Sequence, residues 1–422
     1  MNNGNRPRVV ITGMGVVSVL GDNLQDYWNN LIAGKSGIRK ISFFDASDFP
    51  CQIAGEIPDF DATKYMTFKE ARRVPRSAQL ALGSAINAVK HAGLPETMPD
   101  PERVGVSYGT AMGGVDFLDL GITTLRNDSY RKVNPFIAGG SIPNYSTFLI
   151  SKQFQCLGPN STIVTACATG TQAVGDGAEY IRRGAADVAI VGGTEAIVSD
   201  YGIGGFSSMR ALPTSFNDDP EAASRPFDVA REGFLLSEGA ATLILESEEH
   251  ALARGATIFA EVAGHASSSD AFHVAQPHPD ADGPKRAMRW ALNDAGLDTA
   301  DVDYINAHGT STPLNDLTET KAIKHVFGEG AYDVTISSTK SMLGHAMGAS
   351  GALEAIVCAK VIEHGIIPPT INLDNQDPEL DLNYNAKQTS ERDVTVTLSN
   401  SFGLGGQNAC LVLKRYNGAS PA

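Results

Sequence analysis

Apolar residues along this chain fall into short unbroken runs, separated by stretches in which they recur every three to four positions. Runs at residues 8–13, 104–107, 162–165, 188–191 and 241–245 predict buried strands, the first leading into a turn at Gly13. Between them, helical spacing marks residues 77–91 and 171–183. The alternation restarts after the polar stretch Glu246-Ser247-Glu248-Glu249-His250 and the Arg254-Gly255 turn. Strands are predicted at 258–262, 302–306, 335–338 and 409–413, and helices at 284–295, 317–327 and 350–364. Strand alternating with helix is the signature of an α/β sheet architecture. A joint near residue 255 divides the chain into halves 1–255 and 256–422, and a strand leading into a Gly-Thr turn occurs in each, at 188–195 and 304–311. That pairing suggests a duplication. Residues 417–422 read as a loose tail.

With 422 residues the chain is long enough for roughly two to four core-forming units. A composition of 42% hydrophobic and 19% charged residues excludes a mostly disordered chain. Glycine, 43 residues, gathers in bursts between apolar segments, as tight turns near a site require. The balance of 33 Lys and Arg against 48 Asp and Glu gives a formal charge of −15, which argues against nucleic acid as partner. No apolar stretch approaches the ~20 residues of a membrane span and no signal core opens the chain, so the expectation is a soluble, cytoplasmic protein.

Five cysteines, Cys51, Cys156, Cys167, Cys358 and Cys410, are odd in number and include no CxxC pair. A disulfide framework is therefore not expected, and the question narrows to one reactive thiol. Two nucleotide-binding patterns fail on inspection. Gly13-Met14-Gly15 has Ser18 where the third glycine of GxGxxG belongs, and Gly34-Lys35-Ser36 lacks the earlier glycine of a phosphate loop, so it reads as a helix-terminating turn.

Cys167 follows a strand and precedes Ala168-Thr169-Gly170-Thr171, where helical periodicity begins. A thiol on such a turn meets the free N–H groups of a helix N-terminus, which favour the thiolate; the alternative is a buried structural thiol. In Asn306-Ala307-His308-Gly309-Thr310-Ser311-Thr312 a histidine ends a strand and three hydroxyl residues follow. The C-terminal end of a strand is where α/β folds bind ligands. Lys340-Ser341-Met342-Leu343-Gly344-His345 places a second histidine after a glycine, and Ser401-Phe402-Gly403-Leu404-Gly405-Gly406 exposes backbone N–H groups, as an oxyanion donor, a gate or a plain turn would. Cys167, His308 and His345 lie far apart in sequence without the close spacing of zinc ligands, so no metal is expected.

These segments, in this order, resemble the elongating β-ketoacyl-acyl carrier protein synthases, closest to type II, within the thiolase-like condensing enzymes. The likeness includes Thr165-Ala166-Cys167-Ala168-Thr169-Gly170, Gly192-Gly193-Thr194-Glu195-Ala196, Ser224-Arg225-Pro226-Phe227-Asp228 and Pro368-Pro369-Thr370-Ile371-Asn372-Leu373. It covers nearly the whole chain. The resemblance implies a layered αβαβα duplication, the nucleophile Cys167 in the first half, and His308, His345 and the gate loop in the second. It implies Lys340 and Glu354 as supporting residues, oxyanion N–H groups at Cys167 and Leu404, and a gate formed with Phe402 and Gly403. Thr310 and Thr312 would contact the phosphopantetheine arm, and Met112 and Phe206 would wall the acyl pocket. Lys69, Arg72, Arg73, Arg131, Lys132 and Arg210 would dock an acyl carrier protein, with no permanently bound cofactor.

The implied reaction is decarboxylative Claisen condensation of a Cys167-bound acyl chain with malonyl-carrier in fatty acid elongation. A ketosynthase of a type II polyketide or polyene pathway is the alternative. The implied assembly is a homodimer, or a heterodimer with a ketosynthase-like subunit. Three positions depart from the family: Leu404 stands where phenylalanine is typical, Gln407 where threonine or histidine is usual, and Ser237 where glycine is common.

Overall fold

The computed structural model describes residues 6–418; the opening residues and most of the expected loose tail lie outside this range. Ten strands carry the fold: β1 (Val9–Ser18), β2 (Val104–Gly109), β3 (Asn160–Ile163), β4 (Val188–Glu195), β5 (Gly239–Ser247), β6 (Ala260–Ser269), β7 (Tyr304–Asn306), β8 (Thr335–Ser337), β9 (Val396–Gly403) and β10 (Gln407–Lys414). They join in the order β8-β7-β9-β10-β6-β1-β5-β4-β2-β3. The six longest helices among the described residues are α1 (Arg76–His91), α2 (Val115–Asn127), α3 (Thr169–Arg182), α4 (Asp282–Ala295), α5 (Pro313–Phe327) and α6 (Ser350–His364).

Each half repeats one topology. In β3-β2-β4-β5-β1 the pairs β3·β2 and β2·β4 are parallel, and β4·β5 and β5·β1 antiparallel. In β8-β7-β9-β10-β6 the same sequence of parallel and antiparallel pairs recurs. Between the halves, β1 meets β6 only at Val10↔Glu261 and Ile11↔Ala260. The two five-stranded sheets stack with α3 and α6 between them, each touching strands of both halves, while α1 and α4 cover the outer faces. The result is a five-layer thiolase-like αβαβα fold.

Because both faces of the sheets are covered, strands read as unbroken apolar runs instead of alternating ones. Every residue of β1 is buried. The expected turn at Gly13 is absent, and β1 continues to Ser18. A Cβ on Gly13 or Gly15 would meet the carbonyls of Ala88 or Ser84 at 2.6 and 2.2 Å, so these glycines admit the backbone of α1 against the strand. The inner helices use the same device. A Cβ on Gly170 would lie 2.6 Å from the Ala352 nitrogen, and one on Gly351 would lie 2.1 Å from Thr171 Oγ1. Small residues thus let α3 and α6 cross almost backbone to backbone, which fixes their N-terminal ends relative to each other. Gly34 (φ +64) follows the helix Leu24–Ile32 as a terminating turn.

Candidate active site

The two inner helices open on similar elbows. Before α3, Ala166 adopts φ 49 and Cys167 lies in the turn Ala166–Ala168. Before α6, Met347 adopts φ 39 in the turn Met347–Ala349, two residues after His345. Left-handed backbone at a residue with a side chain costs about 1–3 kcal/mol and persists only where the surroundings impose it. Both elbows lie beside the close crossing of α3 and α6, and the side chains of Cys167 and His345 meet between them.

At that point His345 Nε2 lies 3.0 Å from Cys167 Sγ. His345 Nδ1 lies 3.0 Å from the Ser350 hydroxyl, which is able to donate or accept, so either imidazole tautomer is satisfied. The backbone N–H of His345 donates to the Leu235 carbonyl at 2.7 Å, holding the residue from behind. His308, from the end of β7, faces His345 edge-on with ring centroids 5.4 Å apart, and Phe402 of β9 packs 5.8 Å from His308. The three residues expected from sequence are therefore assembled from both halves.

Local electrostatics differ from the expectation at one of them. Burial pushes the Cys167 thiol up to about 11, against the lowering influence of the Leu404 N–H, the Lys340 charge and the Cys167 N–H. The thiolate-favouring helix terminus is thus outweighed by desolvation, and the resting sulfur is protonated. Burial likewise holds His308 and His345 well below the usual histidine range, assisted in both by the positive charge of Lys340. The resting pair is a neutral thiol beside a neutral imidazole.

Lys340 and Glu354 form a buried ion pair behind the histidines. Ser224 Oγ donates to the Lys340 carbonyl at 2.6 Å, and the Arg225 N–H donates to Ser311 Oγ at 3.0 Å, so the Ser224–Asp228 motif braces both histidine segments. Phe227 (φ 67) stacks on Tyr384 at 3.7 Å within the same brace.

A cavity of about 460 Å³ joins Cys167, His308 and His345 to Thr310, Thr312 and Leu404, and reaches the exposed side chains of Met209 and Leu314. Phe402 and Gly403 line it beside Leu404. The glycine-rich segment is the hairpin turn between β9 and β10, as well as the cavity wall. Thr310 and Thr312 share a 3.0 Å hydroxyl contact, and Thr312 also caps α5. Met112 and Phe206 do not line this cavity. They pack, partly buried, in an apolar cluster with Cys167, Phe234 and Met347, where the Phe234 ring stands between Phe206 (5.2 Å) and His345 (5.5 Å).

Of the basic residues, Lys69, Arg72 and Arg73 share a separate concavity of about 270 Å³ with Phe68 and Asn134. Arg210 lines the cavity that holds Cys167, His308 and His345 instead. Arg131 stacks on Tyr130, and Lys132 pairs with Asp128 at 2.8 Å.

Wide sequence spacing proved no guide to distance for a metal site, since the donor atoms of Cys167, His308 and His345 lie within 4.8 Å of one another. The 3.0 Å S···N separation is nonetheless that of a hydrogen bond. A tetrahedral zinc ion holding sulfur at ~2.3 Å and nitrogen at ~2.1 Å would set them about 3.5 Å apart. The residues as arranged do not fit that ion.

Sequence reasoning missed several polar groups. Glu319 accepts the backbone N–H groups of His308 and Gly309, each at 2.8 Å, and the Asn400 amide at 3.1 Å. Burial pushes it up to about 7. Sequence reasoning also assigns no role to Ser350, Asn400 or Glu195, although Glu195 falls within the Gly192–Ala196 motif. A signal existed for Glu319: with Asp316 it falls three residues apart on the buried side of α5, where apolar residues belong.

Two family models match the chain, that of the beta-ketoacyl synthase N-terminal domain over residues 6–251 and that of the C-terminal domain over residues 259–374. A Synechocystis 3-oxoacyl-[acyl-carrier-protein] synthase 2 is 46% identical over 99% of this chain and 100% of its own length. The Coxiella burnetii protein of the same name is 46% identical over 97% of this chain and 98% of its own. Among solved structures, the ishigamide ketosynthase/chain length factor superposes with TM-score 0.91 at 38% identity, covering 98% of this chain and 100% of that one. The AntDE:AntF complex, a type II polyketide synthase acyl-carrier protein with its ketosynthase bound to the hexaketide, gives TM-score 0.89 at 33% identity, covering 98% and 100%. With both domain models matched in order and relatives aligned end to end on the fold that assembles Cys167, His308 and His345, the chain belongs to the beta-ketoacyl synthase family.

Proposed function

We propose that this chain is an elongating condensing enzyme of fatty acid synthesis, and that Cys167, His308 and His345 carry out its two half-reactions. The observation that carries the reading is the 3.0 Å contact between Cys167 Sγ and His345 Nε2 at the inner end of a cavity reaching the surface. In the first half-reaction the Cys167 sulfur attacks the carbonyl carbon of an acyl-carrier thioester. Its proton passes to His345 Nε2 and on to the departing carrier thiol, while the Cys167 and Leu404 N–H groups, which lie on the sulfur, stabilise the oxyanion. Burial holds the resting thiol up at about 11, so His345 serves to take its proton as the sulfur attacks.

In the second half-reaction malonyl-carrier loses carbon dioxide. The electron pair of the breaking C–C bond forms an enolate, whose oxygen accepts hydrogen bonds from the neutral His308 and His345 rings. The enolate carbon attacks the acyl-Cys167 carbonyl, Cys167 leaves as thiolate, and a solvent proton restores the thiol. Ser350 suits His345 to both steps: its hydroxyl accepts from Nδ1–H when Nε2 receives the thiol proton, and donates to Nδ1 when Nε2–H faces the enolate. Burial, assisted by the charge of Lys340, keeps the imidazoles unprotonated, and Glu354 balances that charge. Thr310 and Thr312, which line the cavity, bind the amides of the phosphopantetheine arm in this reading. The enzyme then needs no resident cofactor.

The carrier docks on the concavity formed by Lys69, Arg72 and Arg73, with Arg131, Lys132 and Arg210 extending the contact. Dimerisation uses the open edge of β3, which has a single neighbour, and the exposed side chains of Leu120, Leu125, Phe136, Phe148, Leu157 and Val164. Among the described residues no helix is long and apolar enough to cross a membrane, which accords with work in the cytoplasm. A second reading, a polyketide or polyene ketosynthase paired with a chain-length subunit, draws on the smaller gate residue Leu404.

Intact-protein mass spectrometry decides between them. Carrier-bound saturated and unsaturated chains are offered first, then malonyl-carrier. The main reading expects acylation of wild type but not Cys167→Ala, followed by a two-carbon extension of saturated chains. Acylated Cys167→Ala would overturn the nucleophile, and extension confined to unsaturated or polyketone chains would favour the second reading.

A further inference from the structure

Glu195, the last residue of β4, is completely buried, and none of its hydrogen bonds involves a lysine or arginine. One carboxylate oxygen accepts from the Thr110 hydroxyl at 3.0 Å and from the Met112 N–H at 3.3 Å. The other accepts from the Ala111 N–H at 2.8 Å and from the Gly348 N–H at 3.2 Å. These four donors come from two turns in different halves of the chain: one follows β2 and carries Met112, the other follows His345 and carries Met347.

The turns touch there without side chains between them. A Cβ on Gly348 would sit 2.5 Å from the Ala111 nitrogen, and one on Gly193 would sit 2.2 Å from the Gly348 carbonyl oxygen. An acidic group buried with N–H and O–H donors alone is costly, and a neutral residue would fill the space. What the carboxylate adds is a fixed separation between the two turns. Met112 and Met347 then stand at set places in the apolar cluster around Cys167.

We propose that Glu195 is a positioning residue for acyl-chain selection: by tying the Thr110–Met112 turn to the Met347–Gly348 turn, it fixes the walls beside the sulfur and hence which chains the sulfur accepts. The inference rests on the reading of Cys167 as the acyl acceptor. It assigns Glu195 no contact with the reacting atoms.

The test compares rates of Cys167 acylation by carrier-bound four-carbon and twelve-carbon chains in wild type, Glu195→Gln and Thr110→Val. A glutamine presents its amide NH2 to N–H groups that need an acceptor, so one side of the tie is lost. The ratio of twelve-carbon to four-carbon rates is expected to change about tenfold in Glu195→Gln, and by about threefold in the same direction in Thr110→Val, which removes one of the four bonds to the carboxylate together with the acceptor of the Gly113 N–H. A purely structural role would scale both chains by one factor, and an unchanged ratio in folded Glu195→Gln overturns the proposal. Should that variant fail to fold, an unchanged ratio in Thr110→Val does so. If wild type is acylated by neither chain, the reading of Cys167 fails instead, a result distinct from either.

Discussion

At Cys167 two influences compete for one proton. The helix terminus and the adjacent N–H groups favour the anion, while burial opposes it and prevails, leaving the thiol at about 11. Alkylation of Cys167 by iodoacetamide should therefore rise by about tenfold per pH unit from about pH 6 to 9, without a plateau. A resting thiolate–imidazolium pair would instead give a rate nearly independent of pH over that range. Lys340 allows a second prediction. Removing one partner of a buried ion pair costs about 3–5 kcal/mol, so Lys340→Met should destabilise the protein by that order in urea unfolding near neutral pH. Burial already raises Glu354 above the ordinary carboxylate range, and loss of Lys340 raises it further. The unpaired group takes up a proton as pH falls, so the penalty should shrink in mildly acidic solution. Pairing the change with Glu354→Gln should recover part of the loss at neutral pH.

Elements carry the geometry that these residues use. The approach of α3 to α6 leaves no room for a methyl group, and Gly351→Ala should cost about 1–3 kcal/mol by overpacking against Thr171 and slow Cys167 acylation through the shifted elbows. At the β9–β10 hairpin, Leu404→Phe is expected to alter the acyl-chain profile, read by the same mass-spectrometric panel; an unchanged profile would dissociate gate size from selection. Much of this was legible in the chain itself. The unbroken apolar runs marked the strands because both sheet faces are covered, and the 350–364 helix matches its prediction at both ends. Cys167 stood out on a strand-to-helix turn, His308 at the end of a strand before Gly309, and His345 directly after Gly344. Less legible was anything set by long-range packing: β1 runs through two glycines because α1 lies against them, not because the chain turns. The sulfur's protonation depends on burial, which no local pattern carries, and Glu195 and Glu319 are defined by backbone donors supplied from distant turns.

Over the whole molecule a formal charge of −15 repels an acidic partner, so the docking proposed at Arg72 and Arg73 requires those local cations to outweigh the field around them. Charge reversal at Arg72 and Arg73 should lower carrier-dependent turnover by about tenfold or more while sparing transfer from small soluble thioesters. Equal losses with both substrates would place docking elsewhere. Light scattering of wild type against Leu120→Glu tests the apolar face beside β3: a dimer that becomes a monomer supports it as the contact between copies. The neutral resting state of the sulfur also bears on how the protein meets oxidants and stray electrophiles. A permanently anionic thiol would be spent on peroxide or aldehydes between turnovers, whereas a sheltered, protonated one waits inert until the proper cargo is seated, so the enzyme's discretion is stored in its unoccupied form.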